Sequence, residues 1–506
     1  MLITGIKLPP DHTKQDLENQ IKKKSGKKID KYYIRKKSVD ARFGKVNFVY
    51  SIEVPSKDEI LNHEKRLDVP KIDLKKRPIV VGSGPCGLFA AYILALAGAR
   101  PILLERGQSV EERKTSVDLF WDKSVFNSKS NVQFGEGGAG TFSDGKLTTR
   151  ISDPLCREVL NVFCDCGADK EILYVAKPHL GTDNLINIVK KLRQKIISLG
   201  GEVHFNEQLT DIAIENEKIK KAIGNSEYDT DNIIIAIGHS ARDTFTMLFE
   251  KGVEMIPKAF SVGARIEHPQ SLVNECQYGY YAKYPQLGAA DYNISYHNKS
   301  GRGVYTFCMC PGGTVVAAAS EENTVVTNGM SYHARDGVNA NSAFLVSVNP
   351  NDYGTHPLDG IVFQRKIEKA AFNISGSYCA PCQLVGDFLD KKTSTSFKDV
   401  EPSYRPGIVF SQLDNVLPGF VCESMREALP EFAKRLRFFD MKSAVLTGPE
   451  TRSSSPVRIC RDSTYQSNIE GLYPAGEGAG YAGGIMSAAV DGIKVALAVI
   501  NNTNQI

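Results

Sequence analysis

No stretch of this sequence is both long and unbroken enough in apolar residues to read as a membrane span. The most apolar window, residues 78–104 (PIVVGSGPCGLFAAYILALAGARPILL), is interrupted by glycine, proline and Arg100, and its breaks fall where a strand, a turn and a helix would meet. Cysteines do not come as a scaffold. There are eleven, an odd number without framework spacing, which speaks against a disulfide-stapled fold and for free thiols in a reducing, cytoplasmic setting. The opening MLITGIKLPP has no basic start followed by an apolar run and a small-residue cleavage site. There is no internal repeat and no low-complexity tract, so a repeat architecture is excluded. Nor does one sign of charge dominate: 62 basic residues face 58 acidic ones, for a net charge of +4.

What is present points to two or three domains, because 506 residues exceed one compact core. Charge is unevenly placed. Residues 1–77 hold 20 Lys and Arg against 11 Asp and Glu, and the remainder 42 against 47. A basic lead segment on a mildly acidic body suits either a solvated lysine-rich face or a nucleic-acid or anionic contact. Within it, Thr13 and Asp16 can cap a helix carrying Leu17 and Ile21 that Gly26 would end. Val46, Phe48, Tyr50, Ile52 and Val54 alternate as in a half-buried strand. Residues 55–77 read as a charged connector.

The stretch RPIVVGSGPCGLFAAYILALAGARPILLERG carries a dinucleotide fingerprint in register with its secondary structure. The strand Ile79-Val80-Val81 enters Gly82-Ser83-Gly84-Pro85-Cys86-Gly87. Gly82 permits the tight turn, Gly84 lets a pyrophosphate approach the backbone, and Gly87 lets helix and strand pack closely. The helix N-terminus offers free N–H groups to phosphate. A second strand delivers Glu105, 18 residues past Gly87, placed for ribose hydroxyls. That carboxylate would repel a 2′-phosphate, so NADP is disfavoured.

The same pattern recurs twice more. Gly135-Glu136-Gly137-Gly138-Ala139-Gly140 has no strand before it and no helix after it, so it reads as a loop closing over the first site, together with Thr141 and with Lys146 and Arg150 nearby. Gly478-Ala479-Gly480-Tyr481-Ala482-Gly483 follows the strand-like GLYPAGEG and has its own helix. NIIIAIG, ending at Gly238, reads as a further strand of the first sheet. A site that needs Gly476, Glu477 and a helix N-terminus at Gly483, Gly484 and Ile485, some 390 residues after the first loop, is larger than an NAD half-site. FAD, bound non-covalently, meets that requirement.

Several side chains are candidates for chemistry. Cys308 and Cys310 in FCMCPGG place two thiols at a tight loop; one of lowered pKa beside a flavin can relay electrons. Cys379 and Cys382 in YCAPCQ form a C-x-x-C pair, read as a dithiol, as inert thiols, or as half of a four-sulfur site with the first pair; no metal is expected. Cys164 and Cys166 read as packing. His239, after the predicted strand, and His179 are candidate acids or bases. Arg452 and Arg458 in GPETRSSSPVR can clamp a carboxylate or phosphate, unless Arg452 pairs with Glu450.

The stretches FGEGGAGTFSDGKL, KPHLGTD, FCMCPGG, NGMS, GPETRSSSPVRI and YPAGEGAGYAGGIMSAAVDG, with the fingerprint, resemble the bacterial FAD-dependent dehydrogenase family of unassigned substrate, over nearly the whole chain. That family belongs with the wider glutathione-reductase-like and hydroxybenzoate-hydroxylase-like flavoproteins. The resemblance implies an α/β fold with a Rossmann-like FAD-binding domain in separated segments and an inserted substrate domain. It implies FAD contacts at Gly82, Gly84, Gly87, Glu105, Arg106, Gly138, Gly140, Leu209, Gly238, Gly476 and Glu477. The expected division is a small basic α+β unit over 1–70, an FAD-binding domain over 78–245 and 441–506, and an inserted α+β domain over 246–440.

The leading expectation is an FAD-dependent oxidoreductase passing hydride between flavin N5 and a small anionic substrate. NAD(P)H would have to act as electron donor without a Rossmann domain of its own. The alternatives are a flavin-dependent RNA-modifying enzyme tethered by the basic unit, and a non-catalytic flavin-bound sensor. Oligomeric state is not legible.

Overall fold

The computed structural model describes residues 1–26, 29, 31–55 and 66–503. Much of the expected connector, residues 56–65, lies outside the described residues, as does the side chain of Phe43.

The first unit is built as its pattern demands. Thr13 and Asp16 close a capping box at the start of the helix Lys14–Ser25, and Gly26 ends it in the left-handed conformation. Leu17 and Ile21 bury one face of that helix against a three-stranded antiparallel sheet of Leu2–Leu8, Asn47–Glu53 and Tyr33–Asp40, in that order. The unit is not free of the body. Lys37 exchanges backbone hydrogen bonds with Tyr174 and Ala176, and Tyr278, Tyr281 and Tyr284 pack on its core.

The nucleotide-binding half centres on a five-stranded parallel sheet, ordered Leu472–Pro474, Ile233–Ile235, Ile79–Val81, Ile102–Leu104, Glu202–His204. Apolar runs without alternation suit a sheet covered on both faces. Here Ile233–Ile235, Ile79–Val81 and Leu472–Pro474 are all buried. NIIIAIG thus joins the first sheet beside Ile79–Val81, and the strand nearest the C-terminus joins its other side. The helices Pro85–Leu96 and Ile485–Thr503 pack together over one face. Gly492 allows this close approach, since a methyl group there would stand 2.1 Å from the Cys86 carbonyl oxygen. One window of the second helix, Ile485–Asn502, is long and apolar enough to cross a membrane, but two thirds of it is buried in this core.

The inserted half holds a seven-stranded sheet ordered Ser295–His297, Gly303–Cys310, Asn339–Val348, Phe260–Pro269, Val445–Glu450, Ala380–Leu384, Ile408–Phe410. The helices Asp359–Ser375 and Gly419–Ala433 contribute to its core. This corrects one expected boundary. Val445–Glu450 pairs with Phe260–Pro269 and Ala380–Leu384, so residues 445–450 belong to the inserted half, because their hydrogen-bonding partners lie there. The chain enters and leaves that half side by side, through the antiparallel ribbon of Met255–Pro257 and Val457–Ile459.

Candidate active site

The three glycine loops meet. Gly82, at φ 97°, ends its strand where a side chain would collide with the Ala236 carbonyl oxygen at 2.4 Å. Gly87 packs on the same turn, where a methyl group would stand 1.8 Å from the Gly82 carbonyl oxygen. Gly84 caps the helix Pro85–Leu96, with Pro85 at its first position. The first-turn N–H groups of such a helix have no intrahelical partner and face whatever lies beyond the cap.

The second loop lies directly on the first. Gly137 N–H donates to the Ser83 carbonyl at 2.8 Å. A methyl group on Gly138, at φ 62°, would come within 3.0 Å of Gly84 Cα. The third loop arrives from the other side, where a methyl group on Gly476 would be 2.8 Å from Cys86 Cβ. Ile485 then reaches the second loop, 3.1 Å from where a Gly140 side chain would start. So residues 135–140 are neither a second Rossmann site nor an isolated turn; they form one wall of the first cleft.

Arg113 holds that wall in place. The side chain is fully buried and donates to four loop carbonyls, those of Asn131, Val132, Gly135 and Glu136, at 2.6–3.2 Å. Burial pushes its pKa down to about 10 while Glu105 and Glu136 hold it up, so it remains a cation at neutral pH. Nothing in the local sequence signals this role, because the carbonyls that Arg113 binds lie 18–23 residues downstream.

The loops open on one cavity of about 1340 Å³, larger than the roughly 300–1,000 Å³ of an ordinary small-molecule site. Its lining includes Glu105, Arg106 and Leu209, the loop residues Gly82, Gly84, Pro85, Gly138, Ala139, Gly140 and Gly238, and Glu477, Gly483, Gly484 and Ile485. The same cavity continues into a chamber of the inserted half, lined by Tyr292, Tyr296, Tyr305, Phe307 and Cys308.

Glu105 is more committed than the sequence suggested. One oxygen accepts from the Ser83 N–H and hydroxyl (2.8 and 2.7 Å), the other from the Gly107 and Gly135 N–H groups (2.9 and 3.0 Å). It ties the first two loops together, and a ribose hydroxyl would have to share or displace one of these bonds. Arg106 is fixed by both oxygens of Asp243 (3.1 and 2.8 Å) and the Thr244 hydroxyl (2.8 Å), and lies over the Phe134 ring. Thr141 departs from expectation. It is buried beneath its own loop, its hydroxyl 2.0 Å from where a Gly137 side chain would begin, and it does not line the cavity.

Three other expectations need correction. Arg452 lines the chamber but is not an open anion clamp. Its guanidinium donates to Glu368 at 2.7 and 3.0 Å and to the Ser240 and Ser320 hydroxyls at 2.7 and 3.1 Å. Glu450 pairs instead with Arg265, at 3.1 Å. Arg458 donates to the Gly480 carbonyl at 3.3 Å and stacks over Tyr481, outside the cavity lining. His239 does line the cavity, with Nδ1 against the Ser240 hydroxyl at 3.0 Å and Nε2 3.9 Å from Glu477. Burial first, then Arg452 and Arg242, push its pKa down to about 3, so the imidazole stays neutral and cannot serve as an acid at neutral pH. Glu477 is moved the other way, to about 7, by burial, which makes it the proton-carrying member of that pair.

Of the remaining thiols, Cys382 is buried within the inserted sheet, and neither it nor Cys379 lines the cavity. His179 stacks on His333, also away from the lining. Among the described residues no cluster of three or more His, Cys, Asp or Glu could hold a metal ion.

Cys308 and Cys310 sit on the strand Gly303–Cys310. Cys308 is half-buried at the chamber wall, and Cys310 is fully buried behind it. The Cys310 thiol lies within hydrogen-bonding reach of the Cys308 sulfur. That contact, opposed by burial and aided by Arg265 and Lys146, lowers the Cys308 thiol below its ordinary range and pushes Cys310 well up.

The cleft fits FAD on these observations. A side chain at Gly84 or Gly138 would intrude on the cradle between the loops, the helix N-terminus at Pro85 aims at it, and the cavity continues past the dinucleotide end into a chamber. The family comparison agrees. The model of an "FAD-dependent protein, C-terminal domain-like" matches residues 259–453, which is the inserted half, and a domain of unknown function matches residues 2–55. An uncharacterized protein of Clostridium beijerinckii is 48% identical, covering 98% of each chain. Solved structures with a weaker likeness include the glycerol-3-phosphate dehydrogenase of Bacillus halodurans complexed with FAD (9% identical, 85% of this chain and 65% of that one, TM-score 0.36). Another is the glycine oxidase of Bacillus cereus (12% identical, 85% and 96%, TM-score 0.31). With a relative of that identity along its whole length and the FAD-dependent model over its inserted half, the chain belongs to the bacterial FAD-dependent dehydrogenases of unassigned substrate, with FAD as its cofactor.

Proposed function

We propose that the protein oxidises or reduces a small anionic substrate held in the chamber of the inserted half. When bound, FAD supplies a site that accepts or gives a hydride at N5. The chain's own residues bind and orient the substrate beside it. The observation that carries this reading is the continuity of the glycine-lined cleft with a chamber that is aromatic on its walls and basic at its rim.

Tyr292, Tyr296, Tyr305 and Phe307 offer faces against which a flat or apolar body can lie, and Phe307 is 41% exposed. Lys146, Arg150 and Lys177 stand at the rim. Asp291 offsets Lys177 at 2.6 Å, and Asp144 is already taken by Arg335 at 2.5 Å. Lys146 and Arg150 therefore remain in excess, and their field favours a carboxylate or phosphate. Deeper in, Glu477 beside the neutral His239 can hold or release a proton near neutral pH.

Purified protein should be yellow, with a flavin absorbance spectrum, and should bleach under anaerobic NADH or NADPH. Benzoate, a flat carboxylate probe, should perturb that spectrum, and the variant pair Lys146→Met and Arg150→Ala should weaken the perturbation roughly tenfold, about 1.4 kcal/mol. A colourless protein that takes up no FAD would refute the whole reading; a benzoate response unchanged in the variants would refute its anionic part. At the opposite end of the cleft, Glu105→Ala removes the tie between two loops. FAD affinity measured by fluorescence titration should fall at least tenfold.

A further inference from the structure

The strand that carries Cys308 and Cys310 is not a regular one. Side chains two apart on a regular strand share a face, but this stretch does not keep that alternation: Phe307 is exposed, Cys308 half-buried, and Met309 and Cys310 are both buried. A bulge between Phe307 and Cys310 breaks the register with the neighbouring strand. Cys308 itself is held at φ 43°, a left-handed conformation that a non-glycine residue keeps only where its surroundings enforce it.

Those surroundings are specific. The Cys308 carbonyl accepts Arg265 Nη2 at 2.8 Å and the Cys310 thiol at 3.3 Å. Arg265 also lies 3.6 Å from Cys310 Sγ, and is itself fixed by Asn341 and Glu450. Gly329 leaves room for that guanidinium, since a methyl group there would stand 2.1 Å from Nη2. Lys146 donates to the Met309 carbonyl between the two cysteines. The site is thus a pair of adjacent sulfurs under two cations, one sulfur facing the chamber and the other shielded behind it.

We propose that Cys308 and Cys310 are a redox dithiol, oxidised to a Cys308–Cys310 disulfide by a small disulfide that enters the chamber. This rests on the reading of the chamber as the substrate site and names a substrate class for it. Cys308, as thiolate, attacks one sulfur of RSSR, forming Cys308–S–S–R and releasing RS⁻. Cys310 then attacks the Cys308 sulfur, closing the intramolecular bond and releasing the second R–S group. The pair loses two electrons, RSSR gains them, and the single proton of Cys310 ends on one of the two released sulfurs. The lowered Cys308 thiol supplies the first attacking thiolate, and Cys310, held protonated by burial until then, gives its proton to the released RS⁻ as it attacks the mixed disulfide.

The sequence provides a direct readout. No lysine or arginine lies between Arg302 and Arg335, so trypsin releases both cysteines in one peptide, residues 303–335. Full-length protein is reduced, desalted anaerobically, exposed to a slight excess of hydroxyethyl disulfide, alkylated with N-ethylmaleimide, digested and weighed. The expected peptide carries no maleimide and is lighter by two hydrogens than the dithiol form. Cys310→Ser should instead trap hydroxyethylthiol on Cys308, and Cys308→Ser should leave Cys310 alkylated and unoxidised. The absorbance spectrum is recorded on the same samples. A yellow, FAD-loaded protein whose peptide keeps two maleimides after the disulfide overturns the dithiol and leaves the FAD reading standing. A closed disulfide in the same yellow protein supports both.

Discussion

Glu368→Ala should cost roughly 3–5 kcal/mol of stability, the penalty for leaving buried charge unpaired. The Glu368 carboxylate is fully buried and serves two guanidinium groups at once. Arg242 donates to it at 2.9 Å through both terminal nitrogens, Arg452 at 2.7 and 3.0 Å, and the Thr451 hydroxyl at 2.6 Å. Removing it leaves Arg452 without any carboxylate, and Arg242 with only Glu321, which Arg365 shares. Arg242 begins a helix of the nucleotide-binding half, and Glu368 lies on a helix of the inserted half. The loss therefore falls on the contact between the halves.

The measurement is urea unfolding followed by circular dichroism and by flavin fluorescence. The expected result is a lower midpoint, with flavin release preceding loss of secondary structure; an unchanged midpoint would contradict it. The sign with pH is fixed. Despite burial, Arg242 and Arg452 hold the Glu368 carboxyl well below the ordinary carboxylate range. A carboxyl depressed on folding stabilises above its unfolded pKa and loses that contribution as pH falls through the folded one. Its contribution should thus persist through neutral pH and fade only in strong acid, and Glu368→Gln should behave at neutral pH as wild type does there.

The second large effect is at Gly138. A valine there meets both a left-handed backbone and the facing Gly84, on the wall of the cleft. We expect FAD affinity to fall at least a hundredfold, about 2.7 kcal/mol, with the circular dichroism spectrum preserved, because the loop lies at the cleft and not within either sheet. Equilibrium dialysis against FAD reads this directly, and retained affinity would remove the loop from the cofactor wall.

The nucleotide-binding loops were legible because glycine encodes backbone. Gly82 needs its positive φ, and Gly87 needs its missing side chain, whatever surrounds them. The strand Ile233–Ile235 was legible because its apolar run is short and ends at Gly238. What resisted reading depends on partners far away in sequence. Arg113 binds carbonyls 18–23 residues on, outside any helical or strand spacing. Arg452 finds its carboxylate 84 residues back, while the nearest acid in sequence, Glu450, turns the other way along its strand to Arg265. The strand Val445–Glu450 carries no periodicity that ties it to Phe260–Pro269. Thr141 reads as a ligand-facing hydroxyl until the turn of its own loop folds it underneath.

The ribbon of Met255–Pro257 and Val457–Ile459 bears on how the molecule is made. A ribosome releases the strands Ile79–Val81 and Ile233–Ile235 long before Leu472–Pro474 exists, so the nascent parallel sheet waits with one edge bare. The two hundred residues made in the interval depart and return through that one ribbon, which is separate from the parallel sheet. They can fold as a loop-out without pulling its strands apart, and the cradle for the adenine dinucleotide closes only once the helix Ile485–Thr503 has emerged to seal it.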